Sequence, residues 1–565
     1  MKKKMIPFLI AVALIIIIGG VAFGSKIIEK YSYSKERADL NAYYQISSEE
    51  DVAIVLHNEI IEERARVFDG VYYLDLDTVH TYLNDRFYED KEENLLLYTV
   101  PTDIIRTQIG SSVREQESGN DDMGYVIARY EEDTLYIAID YVKEYTNFSY
   151  EVFTTPNRIQ LDTAFEEFQT AEIKKDTAVR VKGGVKSDIL TDVTKGDKVT
   201  ILEQMETWSK VKTQDSVIGY VENKRLGDLR SELPIPVTDY VEPEYTSITR
   251  DYKINLGWHV VAGVGGNDTL ESVTANTEGL NVISPTWFKL CDNEGGFTSF
   301  ASSDYVDKAH AMGLEVWALI ENIEYKDSID MYEILSSTST RAKLINDLIR
   351  TVQEYDIDGI NVDFEQISMD CGEHYVEFLR ELSIPCRENG IVLSVDNYVP
   401  TGYTEHYDRE EQGMVADYVI IMGYDEHYAG SPEAGSVASI NFVEEGIEQT
   451  VAQVPPEKVI NAVPFYTRIW ETTGDSISSQ AVGMEMAEEY VAAHNIEVEW
   501  DDETCQNYGE YTDGDTLYQV WLEDEESIRV KLNIMDKYQI GGVASWRLGY
   551  EKPSIWDEIE IYLNQ

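Results

Sequence analysis

Cysteine is scarce in this chain: four in 565 residues (Cys291, Cys371, Cys386 and Cys505), with no Cys-x-x-Cys pair. That excludes a disulfide framework and a cysteine-built metal site. Buried free thiols are the expectation, although Cys371 and Cys386 are candidates to meet. His57 and His80 are the one histidine pair candidate in the N-terminal region, too few for a metal cluster. Basic residues are outnumbered, 46 Lys and Arg against 105 Asp and Glu, for a formal charge of −59. Nucleic acid and anionic lipid headgroups would both be repelled, whereas a soluble ectodomain or a high-salt surrounding would suit such a charge.

Apolar residues make up 43% of the chain and aromatics 11%, with 38 Tyr. Such flat amphipathic side chains suit carbohydrate contact and serve equally as core filler. The length exceeds what one core can serve, so two to four domains are expected. Lys2, Lys3 and Lys4 precede an uncharged apolar run from Met5 to Gly24. It is close to the roughly 20 residues of a spanning helix, and the exit Val21–Ser25 is not a clean small-x-small cleavage site. An uncleaved signal anchor over residues 1–30 is expected, leaving the lysines in the cytoplasm and the rest outside the cell membrane. The competing reading is a cleaved signal peptide and a secreted chain.

Residues 48–165 carry a weak internal repeat: Tyr73–Val79 is echoed by Tyr136–Val142, each a short strand leading into a helix-like stretch and then another strand, Leu95–Tyr98 or Ile159–Leu161. An α+β domain of two packed copies is the simplest account. This region is similar to the small repeat domain at the N-terminus of some copper amine oxidases and on bacterial surface proteins, without ligands for copper. The resemblance implies a spacer or wall-binding role. Residues 171–228 break into short strands at Gly and Asp turns, a small all-β barrel. The order Gly196-Asp197-Lys198, Trp208-Ser209-Lys210-Val211, Gly219-Tyr220-Val221 resembles bacterial SH3 domains. Residues 229–245, with Pro234, Pro236 and Pro243, read as a stiff linker.

From 246 to 565 the rhythm changes. Eight strand-like runs alternate with helix-like stretches, near Ile254, Val282, Glu315, Gly359, Ile391, Tyr418, Val459 and Gly541. Eight such units in about 300 residues fit a (β/α)8 TIM barrel better than an open sheet.

Within that barrel, Asp358-Gly-Ile-Asn-Val-Asp-Phe-Glu365 is the most telling stretch. Alternation puts Asn361, Asp363 and Glu365 on one face of a strand and Ile360, Val362 and Phe364 on the other. An edge strand with one solvated face would show the same pattern. The position at the C-terminal mouth of strand four instead suggests chemistry. Tyr424, Asp425, Tyr466 and Trp546 fall at or beyond the ends of strands six, seven and eight, so a barrel gathers them on the same rim. There an acid, donors and an aromatic floor would meet a sugar ring. His259 and His427 are expected to be structural, Asp358 likewise, and Trp258, Trp287 and Trp317 to be core.

These motifs resemble glycoside hydrolase family 18: DxxDxDxE at Asp358, Asn361, Asp363 and Glu365, Met-x-Tyr-Asp at Met422–Asp425, the strand-seven segment Pro464–Trp470, and Trp546. Asn361 departs from the usual Asp of chitinases and matches the spore-cortex peptidoglycan N-acetylglucosaminidases. The resemblance implies retaining, substrate-assisted hydrolysis of β-linked N-acetylglucosamine in peptidoglycan or a chitin-like glycan, with no cofactor or metal. It implies Glu365 as acid and then base, and Asp363 on the acetamido N–H, raising the pKa of Glu365. It also implies Tyr424 on the acetamido oxygen, Trp546 under the sugar, and Asn361, Asp425 and Tyr466 as further substrate contacts. Replacing Asn361 by Asp is expected to shift the pH optimum. The alternative is a wall-tethered, lectin-like binding protein; the intact Glu365 separates the two.

Overall fold

The computed structural model describes residues 2–233 and 240–565, so the linker prolines Pro234 and Pro236 lie outside the described residues. The chain divides into two compact units, the first holding residues 1–87, 107–115 and 119–242 and the second residues 88–106, 116–118 and 243–565.

The first unit begins with the helix Lys2–Tyr31, of which Ile10–Tyr31 is long and apolar enough to cross a membrane, with a mean hydropathy of 2.3. The two echoing stretches both fold as a strand followed by a short helix: Val71–Asp75 with Leu76–Tyr82, and Thr134–Ala138 with Ile139–Glu144. Their strands pair antiparallel, Ile137 opposite Leu74, near the edge of a seven-stranded sheet. The following strands are not equivalent. Asn157–Asp162 joins that sheet, whereas Leu95–Val100 belongs to another and groups with the second unit. A second seven-stranded sheet runs from Phe168 to Glu232 around a core of Val179, Leu190, Val199, Val211 and Val221. The alternating burial of Trp208–Thr213 is that of a strand with one face on this core.

The second unit is a closed barrel of eight parallel strands: β1 (Ile254–His259), β2 (Val282–Pro285), β3 (Glu315–Glu321), β4 (Gly359–Asp363), β5 (Val392–Tyr398), β6 (Tyr418–Met422), β7 (Val459–Pro464) and β8 (Gly542–Trp546). Pairing of β8 with β1 and of β2 with β3 completes the ring. Two concentric cores follow from the period-two pattern of the strands. Ile254, Leu256, Val282, Trp317, Leu319, Val392, Tyr418, Ile420, Ile460 and Ala544 fill the interior. Ile283, Val316, Ile360, Val362, Val395 and Val419 face outward beneath helices such as Thr338–Tyr355 and Gly372–Asn389. Asp358 lies at the base of β4, where its Oδ2 accepts from the backbone N–H of Val316 at 2.7 Å and lies 2.8 Å from His310 Nε2. Between β7 and β8 the chain inserts a five-stranded antiparallel sheet, Tyr466 to Leu522, with the helix Met484–His494 packed on it.

All four cysteines are free: Cys371 and Cys386 are buried, and Cys291 and Cys505 only half-buried. Several acids buried outside the barrel ring are matched by cations. Arg341, fully buried, forks onto both carboxylate oxygens of Glu381 (2.8 and 3.1 Å) and reaches the Tyr88 hydroxyl at 3.0 Å. Arg380 bridges Glu377 and Glu411, and Thr99 donates to Glu377. Residues 88–106 thus close over charged side chains of two barrel helices. Replacing Arg341 by Leu leaves Glu381 buried without its partner and is expected to cost about 3–5 kcal/mol, read as a lowered urea midpoint by barrel tryptophan fluorescence.

Candidate active site

The inward positions of β4 and β5 turn polar toward the mouth, and a single side chain organises them. Asn361 is fully buried. Its Oδ1 accepts from Trp258 Nε1 (2.9 Å) and Ser284 Oγ (3.2 Å), and its Nδ2 donates to Ser394 Oγ (3.1 Å) and Asp396 Oδ1 (2.8 Å). Both lone pairs and both N–H groups of the amide are spent within the barrel. The expectation that Asn361 contacts substrate is therefore corrected: it ties β1, β2 and β5 to β4 from beneath the mouth.

Register carries the pattern upward. Asn361 pairs with Ser394 across β4 and β5, so the next inward positions, Asp363 and Asp396, lie side by side on neighbouring strands about 4.8 Å apart. Asp363 keeps some surface at the mouth, but its Oδ1 is covered and accepts no hydrogen bond. Burial first, then the charges of Asp396, Glu365 and Glu321, hold its pKa well above the usual carboxylate range. Asp396 is 3% exposed and is pushed up the same way, by burial against the hydrogen bond from Asn361. Two such carboxyls in one low-dielectric site do not both ionise readily.

Glu365 lies two residues past the end of β4, half-buried. Asn322 clamps its backbone from both sides, accepting from the Glu365 N–H and donating to the Glu365 carbonyl, each at 2.9 Å. Gln366, next in line, turns the chain with a φ of 56°. The Glu365 carboxyl accepts from the Tyr398 hydroxyl at 2.7 Å. Its pKa is raised chiefly by burial; Asp425 and Glu321 add to the rise, and the Tyr398 hydrogen bond and Lys326 oppose it. The cause differs from the expected one, which placed Asp363 first. A cavity of about 480 Å³ opens beside Glu365, lined among others by Asn322, Lys326, Asp330, Tyr332 and Gln366.

The other rim residues converge. Gly423 admits the end of β6 against β7, because a Cβ there would lie 2.7 Å from Asn461 Oδ1 and 2.8 Å from the Ala462 carbonyl. Tyr424 then points into the mouth, where its phenol is raised by burial and by Tyr466, Asp363, Asp396 and Glu365. Asp425, exposed and at a φ of 59°, accepts from the Tyr466 hydroxyl at 2.6 Å. Tyr466 itself is only 5% exposed and meets the rim through Asp425. Trp546 ends β8, half-buried, with its ring 5.8 Å from that of Trp258. His259 stays in the wall between Tyr305 and Thr269, its pKa pushed down to about 4 by burial and Arg547. Asp396, Tyr398, Asn322 and Glu321 escaped the reading of the sequence. Ser394-Val395-Asp396 alternates as Asn361-Val362-Asp363 does, and that was the available signal.

The Glycosyl hydrolases family 18 model matches residues 275–551, and the Bacterial SH3 domain model matches residues 175–227. The Bacillus subtilis protein YdhD, named for a sporulation-specific glycosylase, is 32% identical over 229 residues, 39% of this chain and 53% of that protein. The Cortical fragment-lytic enzyme of Bacillus subtilis is 26% identical over 246 residues, 42% of this chain and 57% of the enzyme. The chain thus spans just over half the length of these curated relatives. The crystal structure of the Bacillus cereus spore cortex-lytic enzyme SleL superposes with a TM-score of 0.50 at 22% identity, over 59% of this chain and 79% of that one, a likeness of fold. The barrel carrying Glu365 is a family 18 glycosyl hydrolase domain, preceded in the same chain by a bacterial SH3 domain.

Proposed function

We propose that the chain hydrolyses β-linked N-acetylglucosamine in bacterial wall glycan, with retention of configuration and with the substrate's acetamido group as internal nucleophile. The observation that carries this reading is the pairing of a protonation-prone Glu365 with the unsatisfied Oδ1 of Asp363 at one barrel mouth. A buried acceptor without a donor is costly, and an acetamido N–H supplies the missing donor. In this reading the N–H binds Asp363 and the acetamido oxygen attacks the anomeric carbon. The Tyr424 hydroxyl steadies that oxygen, and Trp546 floors the ring. Glu365 gives its proton to the leaving oxygen and then takes one from the incoming water. The names of the cortex-lytic relatives favour peptidoglycan over chitin. The apolar helix Ile10–Tyr31 is taken as a membrane anchor, and the SH3 domain with the N-terminal repeat domain as modules that hold the barrel near the wall.

Replacing Glu365 by Gln is expected to lower the release of reducing ends from peptidoglycan by about 10²–10⁴-fold while glycan still pellets with the protein. Equal release by both forms, or none by the native chain on peptidoglycan and chitin alike, would refute the assignment. The acid must be protonated to act, so the rate falls as pH rises through the pKa of Glu365. Tyr398 stabilises the ionised form; Tyr398→Phe removes that hydrogen bond and is expected to move the basic limb of kcat/KM upward by about one pH unit.

A further inference from the structure

Asn361 stands where an acid would neighbour Asp363 on the same strand, yet the barrel does not lack that acid. Asp396 occupies the facing inward position of β5 and is bound to the Asn361 amide at 2.8 Å. We propose that Asp396 is the positioning acid of this active site, sharing one proton with Asp363 in the role that an acid at position 361 would otherwise fill. The inference rests on the glycosidase reading for its kinetic consequence but not for its geometry.

The surroundings leave no other neutralising group at this point. Asp363 and Asp396 face one another and Glu365, with Glu321 on β3, Tyr375 on the helix Gly372–Asn389, and Tyr424 beyond β6. Lys326 acts on Glu365 and Arg409 on the Tyr375 side. Among the described residues, no cation forms an ion pair with either acid; Asp396 has the neutral Asn361 as its hydrogen-bond partner, and its Oδ1 is thereby taken. The proton therefore has two homes. In the free chain it resides on Asp363. Once a substrate N–H occupies Asp363 Oδ1, it moves to Asp396 Oδ2, leaving Asp363 ionised opposite the cationic intermediate, and it returns when product leaves. The pair carries one negative charge throughout, so no charge is created in the buried layer.

The hydrogen-bond pattern makes a reciprocal exchange possible. In Asn361→Asp/Asp396→Asn the amide at 396 donates to the carboxylate at 361, the Ser394 hydroxyl turns to donate to it as well, and Trp258 and Ser284 still donate to position 361, so the contacts are kept with two polarities reversed. The full-length protein in detergent is compared as wild type, Asp396→Asn and the double exchange. Protonated carboxyl is read by difference infrared spectroscopy at neutral pH, in a Glu365→Gln background so that the general acid is silent. Turnover and its pH profile are read on N-acetylglucosamine oligomers and soluble peptidoglycan fragments with Glu365 intact. In Asp396→Asn the band corresponding to one carboxyl is expected to disappear and kcat to fall about tenfold or more, the scale of one misplaced hydrogen bond, with the acid limb altered. The double exchange is expected to restore both. An unchanged band in Asp396→Asn, or a double exchange that restores neither band nor rate, overturns the proposal. A wild-type chain that cleaves no glycan refutes the glycosidase reading instead, while the infrared comparison still decides the shared proton.

Discussion

The constraint on which the active site depends is the cost of holding carboxyls in the centre of a barrel without cations. Moving an ionised carboxylate out of water costs several kcal/mol even after relaxation, and the protein offers three remedies: a counter-ion, hydrogen-bond donors, or a proton. At the mouth, Asn361 supplies one donor to Asp396, Tyr398 supplies one to Glu365, and Asp363 Oδ1 receives none. Protons must make up the remainder. The raised pKa values of these three acids are thus a consequence of how the barrel interior is furnished.

The same chain solves the opposite problem elsewhere. Glu381 meets Arg341, Glu377 and Glu411 meet Arg380, and Glu523 meets Lys531, all buried and all with charge-assisted hydrogen bonds. In those places the geometry of the acid is fixed by its cation. In a protein with 105 acids and 46 bases, cations are the limiting partner. Among the described residues, their presence along the barrel helices and their absence from ion pairs with Asp363 and Asp396 separate rigid scaffold from the proposed exchangeable proton.

Much of the barrel was legible because each strand is a short apolar run whose length and β-branched content, rather than its period, set it apart from a helix: Tyr418–Met422 and Val459–Val463 are examples. The place of Glu365 at the barrel mouth was legible from its position at the end of the strand-four run, whereas alternation by itself fits an edge strand equally. What escaped was whatever needed the neighbour across the sheet. Asn361 faces inward, as alternation requires, but only the register with Ser394 shows its amide consumed below the mouth. Asp396 and Tyr398 lie on a run that reads simply as a strand, and their bearing on Asp363 and Glu365 is set by β5 pairing with β4. The grouping of residues 88–106 with the barrel was equally hidden, because it rests on Tyr88 and Thr99 meeting Arg341 and Glu377, 253 and 278 residues away in the chain.

The insertion between β7 and β8 shows how the rim acquires depth. Tyr466 opens the inserted sheet and holds Asp425 through its hydroxyl, while the preceding residue, Phe465, donates its N–H to the carbonyl of Trp546 at 2.7 Å. Trp470, on the same strand, is anchored to the Gly435 carbonyl at 2.9 Å. One short segment therefore fixes the β6 loop, Trp546 at the end of β8 and the start of the side wall together. Because Asp425 also raises the pKa of Glu365, a displacement of the inserted sheet would be felt at the acid as a change of charge distance as well as of cleft shape. Wall and chemistry are coupled through a single phenol–carboxylate contact, which is why the insertion belongs to the site rather than to its surroundings.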